Sequence, residues 1–127
     1  MIECRGTANG QSEMAAHQMP SKRYEYYRTM YENCTEVQMN LEITGFRSSP
    51  SDFSFLENVR IVHGYVLVFD NGFGRIPLTS LRVIGGQTLF KPSKYVNKYS
   101  LYVKGNDNVN QLDFSSLTGL FCDVTYC

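Results

Sequence analysis

The chain has 127 residues, 43% of them hydrophobic and 13% aromatic, which leaves room for one domain with a real core. Twelve basic and twelve acidic side chains cancel, and no like-charge run exceeds Lys22-Arg23, so the positive field that would hold nucleic acid or an anionic membrane surface is missing. The apolar runs are too short to cross a bilayer, and the opening MIECRGTANG has no basic segment leading into a hydrophobic one, so no export signal is read there.

The segment from Met1 to Pro20 is polar and reads as extended or irregular structure tied down at Cys4. The pattern changes in SKRYEYYRTMYEN, where Tyr24, Tyr27, Met30 and Tyr31 fall on one face of a helix. The spacing predicts a helix from about Lys22 to Glu32, with Ser21 as its N-cap and Asn33 in the left-handed conformation that ends it. Such a tyrosine stripe is core packing before it is a binding surface. Asn33-Cys34-Thr35 spells an N-glycosylation acceptor just past that helix, for a chain that passes through a eukaryotic secretory pathway.

After Cys34 the period becomes two. VQMNLEI places Val37, Met39, Leu41 and Ile43 on one side of a strand, and YVLVF, TLF and YSLYV repeat the idea. Between these runs lie turn spellings, among them Asp70-Asn71-Gly72, Lys91-Pro92-Ser93 and Gly105-Asn106-Asp107. FLENVRIVHGYVLVF and PLTSLRVIGGQTLF share their apolar positions at a constant offset of 22 residues: Leu56 with Leu78, Val59 with Leu81, Val62 with Ile84, Gly64 with Gly86, Leu67 with Leu89, and Val68 with Phe90. A fixed period in this range marks stacked units, each too small to bury its own apolar face. The internal spacings of Leu78, Leu81, Ile84 and Gly86, three, three and two, recur at Phe114, Leu117, Leu120 and Cys122, with DVTY as a final strand that places Cys122 near the end of the stack. The fold class expected is mainly β: a short right-handed β-helix, or leucine-rich-repeat-like solenoid, of parallel strands with one capping α-helix near the N-terminus.

Cys4, Cys34, Cys122 and Cys127 form no CxxC pair, and neither His17 nor His63 lies near a cysteine in sequence, so no metal site is expected. An even count favours disulfides and an oxidising compartment over four buried thiols in the cytosol. No phosphate-binding glycine loop, nucleophile elbow or zinc-protease helix is present, and no cofactor is implied. Asp70 and Asp107 could be imagined as the carboxylates of a β-helical carbohydrate-active enzyme, but Asp-Asn-Gly and Gly-Asn-Asp are what tight corners prefer. His63, beside a corner glycine, reads as a partly exposed polar residue and not as a general base.

CRGTANG, YENCTEVQMNLEIT, FSFLENVRIVHGYVLV, RIPLTSLRVIGGQTLF and YSLYVKGN, in that order, resemble the first L domain of epidermal-growth-factor-receptor-like receptors, over a stretch from Cys4 to about Leu117. The resemblance implies a Cys4–Cys34 disulfide and a single receptor L domain over residues 1–127. It implies a non-catalytic extracellular or cell-surface module that forms one half of a binding site for a polypeptide growth factor, together with a second L domain of the same receptor. Carried over position by position, it places ligand contacts at Asn9, Gln11, Phe46, Asp70 and Lys91. Asp70 and Lys91 differ in chemical type from the family's usual apolar and acidic choices. A free-standing secreted receptor-like protein shares these expectations. The ending LFCDVTYC departs from the family's last layer, which reads as a domain shortened at that end.

Overall fold

In the computed structural model, residues 2–8, 20–47, 52–72, 74–93, 97–107 and 109–121 are described. They form ten strands, one α-helix and one 3₁₀ turn. The expectation of a mostly β domain with one helix near its N-terminus holds.

Strand β1 (Glu3–Cys4) is followed by helix α1 (Pro20–Tyr31), two residues upstream of the start expected at Lys22. Ser21 is therefore the second helical residue and not the cap, while Pro20, with its backbone angle already helical and no N–H to satisfy, suits the first turn. At the other end Glu32 still donates its N–H to the Arg28 carbonyl at 2.8 Å, and Asn33 then turns left-handed (φ 63°), as expected. Tyr27 and Tyr31 are fully buried and Tyr24 and Met30 pack against the same core, so the tyrosine stripe is structural. Burial pushes the Tyr31 phenol well above its ordinary range, with the neighbouring Tyr27 and Glu42 adding to the effect.

The remaining strands are β2 (Glu36–Val37), β3 (Leu41–Thr44), β4 (Ile61–Val62), β5 (Val66–Phe69), β6 (Gly74–Pro77), β7 (Val83–Ile84), β8 (Leu101–Lys104), β9 (Val109–Asp113) and β10 (Gly119–Leu120). Every strand pairing is parallel. One sheet runs β1-β2-β4-β7-β10, a second β3-β5-β8, and a third pairs β6 with β9. Val62 lies beside Ile84 and Ile84 beside Leu120 in the first sheet, with Val62 and Ile84 fully buried. Both offsets read from the sequence, the 22-residue one and the one that picks out Leu120, are thus real neighbours.

Three expectations change. VQMNLEI is not one strand: the chain turns between Val37 and Leu41, so β2 and β3 belong to different sheets and all four residues of β3 are buried. The turn is held by Asn40, whose side-chain amide donates to the Thr7 carbonyl at 2.9 Å and whose Oδ1 accepts from the Tyr65 N–H at 3.0 Å. Second, TLF is no strand, and Leu67 and Val68 pair with Tyr102 and Val103, not with Leu89 and Phe90. Between β7 and β8 the chain leaves the ladder in an excursion closed by an antiparallel bridge between Phe90 and Tyr99. Third, GRIP and VNQLD, which the spelling does not single out, pair as β6 and β9 and bring Ile76 into the core. Cys122, Cys127 and the DVTY strand lie outside the described residues.

Gly64 shows how tightly the corners close. A Cβ there would sit 1.9 Å from Asn40 Oδ1 and 2.7 Å from the Met39 carbonyl oxygen. Because Asn40 is pinned by two hydrogen bonds, it has nowhere to retreat. Gly64→Ala is expected to cost about 1–3 kcal/mol through overpacking, read as a lowered midpoint in thermal unfolding. A variant as stable as the parent would mean that Asn40 does not hold this corner.

Candidate functional site: an aromatic groove on the outer face of the three-stranded sheet

Side chains alternate across β3, β5 and β8. Leu41, Ile43, Val66 and Val68 point into the core, with Leu101 packed against it. The opposite face carries two cross-strand rows in register, Glu42-Leu67-Tyr102 and Thr44-Phe69-Lys104. Glu42 is only 1% exposed despite its charge, and its carboxylate accepts a hydrogen bond from the Thr7 hydroxyl at 2.7 Å. A buried carboxylate is retained only with such donors.

Over this face the excursion folds back. Phe90 approaches Tyr65 with ring centroids 5.6 Å apart and Tyr102 at 5.2 Å, Tyr99 meets Tyr102 at 5.5 Å, and Phe69 lies 6.3 Å from Tyr102. These tilted ring contacts bury Leu67 to 3% exposure yet leave Phe69 39% exposed. The result is an open groove of about 270 Å³ lined by Thr44, Gly45, Leu67, Phe69, Asp70, Phe90, Pro92 and Tyr102.

Side-chain amides tie the corner beneath the groove together. Asn71 accepts from the Phe46 N–H at 3.2 Å and donates to the Ile43 carbonyl at 3.0 Å, while Asn106 accepts from Asn71 Nδ2 at 2.9 Å and donates to the Val68 carbonyl at 3.0 Å. Asn71, after β5, and Asn106, after β8, thus link the corners of neighbouring strands. Asp70, left-handed at φ 63°, ion-pairs with Arg47, a hydrogen-bonded contact that raises the arginine's pKa further.

Of the residues expected to contact a ligand, Asp70 lines the groove, and Lys91 stands exposed between Phe90 and Pro92, which both line it. Asp70 is thus part of the groove wall, and Lys91 is next in sequence to two residues that are. Phe46 is elsewhere: it is 5% exposed, edge-on to Tyr27 at 5.4 Å and Phe53 at 5.0 Å, with the Arg23 guanidinium 4.4 Å above its ring. Gly45, at φ 72°, makes the turn after β3, and Phe46 beyond it packs against the helix, which removes it from any surface. Asn9 and Gln11 lie outside the described residues. The sequence reading missed Phe69, Phe90, Tyr99 and Tyr102; their signal was the aromatic residue closing or alternating within each of VLVF, TLF and YSLYV.

His63 is half-buried, with Nε2 2.5 Å from Glu36 Oε1, on the first sheet and away from this groove. Asn33 is exposed. Cys4 and Cys34 form a disulfide with Cα atoms 5.7 Å apart. Among the described residues no group of three His, Cys, Asp or Glu side chains could hold a metal ion, and no helix is long and apolar enough to cross a membrane.

A family model described as the receptor L domain matches residues 33–121. The chain is 39% identical over 97% of its length to human receptor tyrosine-protein kinase erbB-4, of which it covers 9%. It is 38% identical over 67% of its length to the epidermal growth factor receptor of Drosophila melanogaster, covering 6% of that protein. To the melanoma receptor tyrosine-protein kinase of Xiphophorus maculatus it is 34% identical over 91% of its length, covering 10%. The chain thus spans about a tenth or less of each of these relatives. On the strength of the family match and of these identities across most of its length, the chain belongs to the receptor L domain family.

Proposed function

We propose that the chain is a single extracellular L domain supplying one half of a binding site for a polypeptide growth factor, the other half coming from a second L domain of the same receptor. A receptor L domain is a binding module, not a catalytic one. The observation that carries the reading is the aromatic groove on the outer face of β3-β5-β8, with Asp70 in its wall. Phe69, exposed, and Tyr102, half-buried, both stand on this sheet, and aromatic side chains lose little entropy on binding and are enriched at protein interfaces. The name of the Drosophila relative, a growth factor receptor, points the same way.

The architecture that serves this role is a short right-handed β-helix. Three parallel sheets, visited in the same order from layer to layer, support it, as do the asparagines that repeat at successive corners. Helix α1 caps the layer that carries the disulfide. The exposed Asn33, just past the helix, is the glycosylation position this reading favours.

Titration of the chain against a panel of growth-factor-like polypeptides tests the proposal. A lone half-site lacks the second domain's contacts, so binding is expected at roughly micromolar affinity or weaker. Tyr102→Ala and Phe69→Ala are each expected to weaken it by about tenfold, the cost of an interface aromatic, while leaving the fold intact. Unchanged affinity in both variants would move the site elsewhere, and nanomolar binding by the lone domain would reject the half-site.

A further inference from the structure

The five-stranded sheet carries a second groove, of about 430 Å³, lined by Thr35, Glu36, Arg60, Ile61, Arg82, Val83 and Thr118. Arg60 and Arg82 occupy matching positions on neighbouring strands: the Arg82 N–H donates to the Arg60 carbonyl at 2.8 Å, one residue before the register pair Ile61 and Val83. Adjacent strands lie about 4.8 Å apart, so the two exposed side chains start side by side. Like charges in that relation repel.

Among the described residues neither guanidinium meets an acceptor. Three other arginines do have an acid beside them: Arg28 has Glu32 at 4.0 Å, Arg47 has Asp70 and Arg75 has Glu57 at 3.1 Å. The groove's own acid, Glu36, is engaged by His63 at 2.5 Å. The Thr35 hydroxyl is also taken, accepting from the Ile2 N–H at 2.9 Å and donating to the Ile2 carbonyl at 3.0 Å. What is left for a partner is a pair of guanidiniums beside an apolar floor of Ile61 and Val83. This combination matches a carboxylate next to an aliphatic side chain. A sulfated glycan would bring dense negative charge but nothing for the floor.

We infer that this groove is a second docking site, distinct from the aromatic one, for an acidic and aliphatic peptide segment of a partner protein, with Arg60 and Arg82 forking onto its carboxylates and Ile61 and Val83 receiving its aliphatic side chains. Guanidinium and carboxylate match in bidentate geometry, and removal of one such charged hydrogen-bonding partner costs about tenfold in affinity.

The test is an NMR titration of the ¹⁵N-labelled chain with three probes: the acetylated, amidated heptapeptide LEELLEE, its LQQLLQQ counterpart, and a heparin-derived octasaccharide. The acidic peptide is expected to shift the amides of Thr35, Ile61, Val83 and Thr118 saturably and to leave those of the aromatic groove unmoved. Arg60→Ala and Arg82→Ala are each expected to weaken the effect about tenfold with the remaining spectrum unchanged. Equal shifts from the glutamine peptide would overturn the inference. So would binding of the octasaccharide through these amides with the peptide inert, or undiminished peptide binding in the Arg60→Ala/Arg82→Ala double variant.

Discussion

Replacing Val62 or Ile84 with aspartate is expected to abolish cooperative unfolding, leaving a chain without a resolved thermal transition in circular dichroism. Both side chains are fully buried and adjacent in the five-stranded sheet, with the buried Val37 on the far side of Val62 and Leu120 beyond Ile84. Among the described residues the one buried carboxylate is Glu42, which has Thr7 as its donor; an aspartate at position 62 or 84 would have an apolar cluster instead. An unpaired charge in such a place costs roughly 4–5 kcal/mol or more, against a total stability of about 5–15 kcal/mol for a domain. Ile84→Val, which removes one methylene and adds no polarity, is the control and should cost only about 0.5–1.5 kcal/mol. If the aspartate variants melt like the control, the strand register that buries Val62 beside Ile84 is wrong.

The disulfide is the second large term. Its closed loop spans a sequence separation of 30, for which the chain-entropy account gives about 3–4 kcal/mol, a substantial part of the same total. The Cys4→Ala/Cys34→Ala double variant, chosen because Cys34 is fully buried and alanine adds no polar group there, should lower the urea midpoint by at least about 1 M. Peptide mapping without reduction gives the independent check. An unchanged midpoint, or a mapped link from Cys4 to any cysteine other than Cys34, would remove the disulfide from the account of stability.

Periodicity revealed which residues are buried more readily than which strands are neighbours. The tyrosine stripe, the Asn33 helix end and the Val62–Ile84 pair follow directly from spacing, because each depends on local geometry or on a repeat of constant length. The Leu67–Leu89 pairing failed because the chain spells TLF in an excursion that packs over a sheet instead of joining it. Glu42 illustrates another limit: alternation assigns it to solvent, and only Thr7, far upstream in sequence, makes its burial affordable. At the candidate site, Asp70 and Lys91 were legible as corner residues, whereas Phe46 was not, since a single left-handed glycine before it decides which way the ring faces.

In the five-stranded sheet the order in space, β1-β2-β4-β7-β10, is also the order in the chain. No strand has to slip between two that are already paired. Contacts between strands this distant in sequence make folding intrinsically slow for a free chain, which must close a long loop before each pairing is rewarded. During synthesis the situation differs, because each newly emerged strand meets an open edge that its predecessor has just completed. Assembly can therefore proceed from the disulfide end as templated growth, one layer at a time. On this account refolding of the complete chain from denaturant should be slower and more prone to off-register pairing than folding during synthesis.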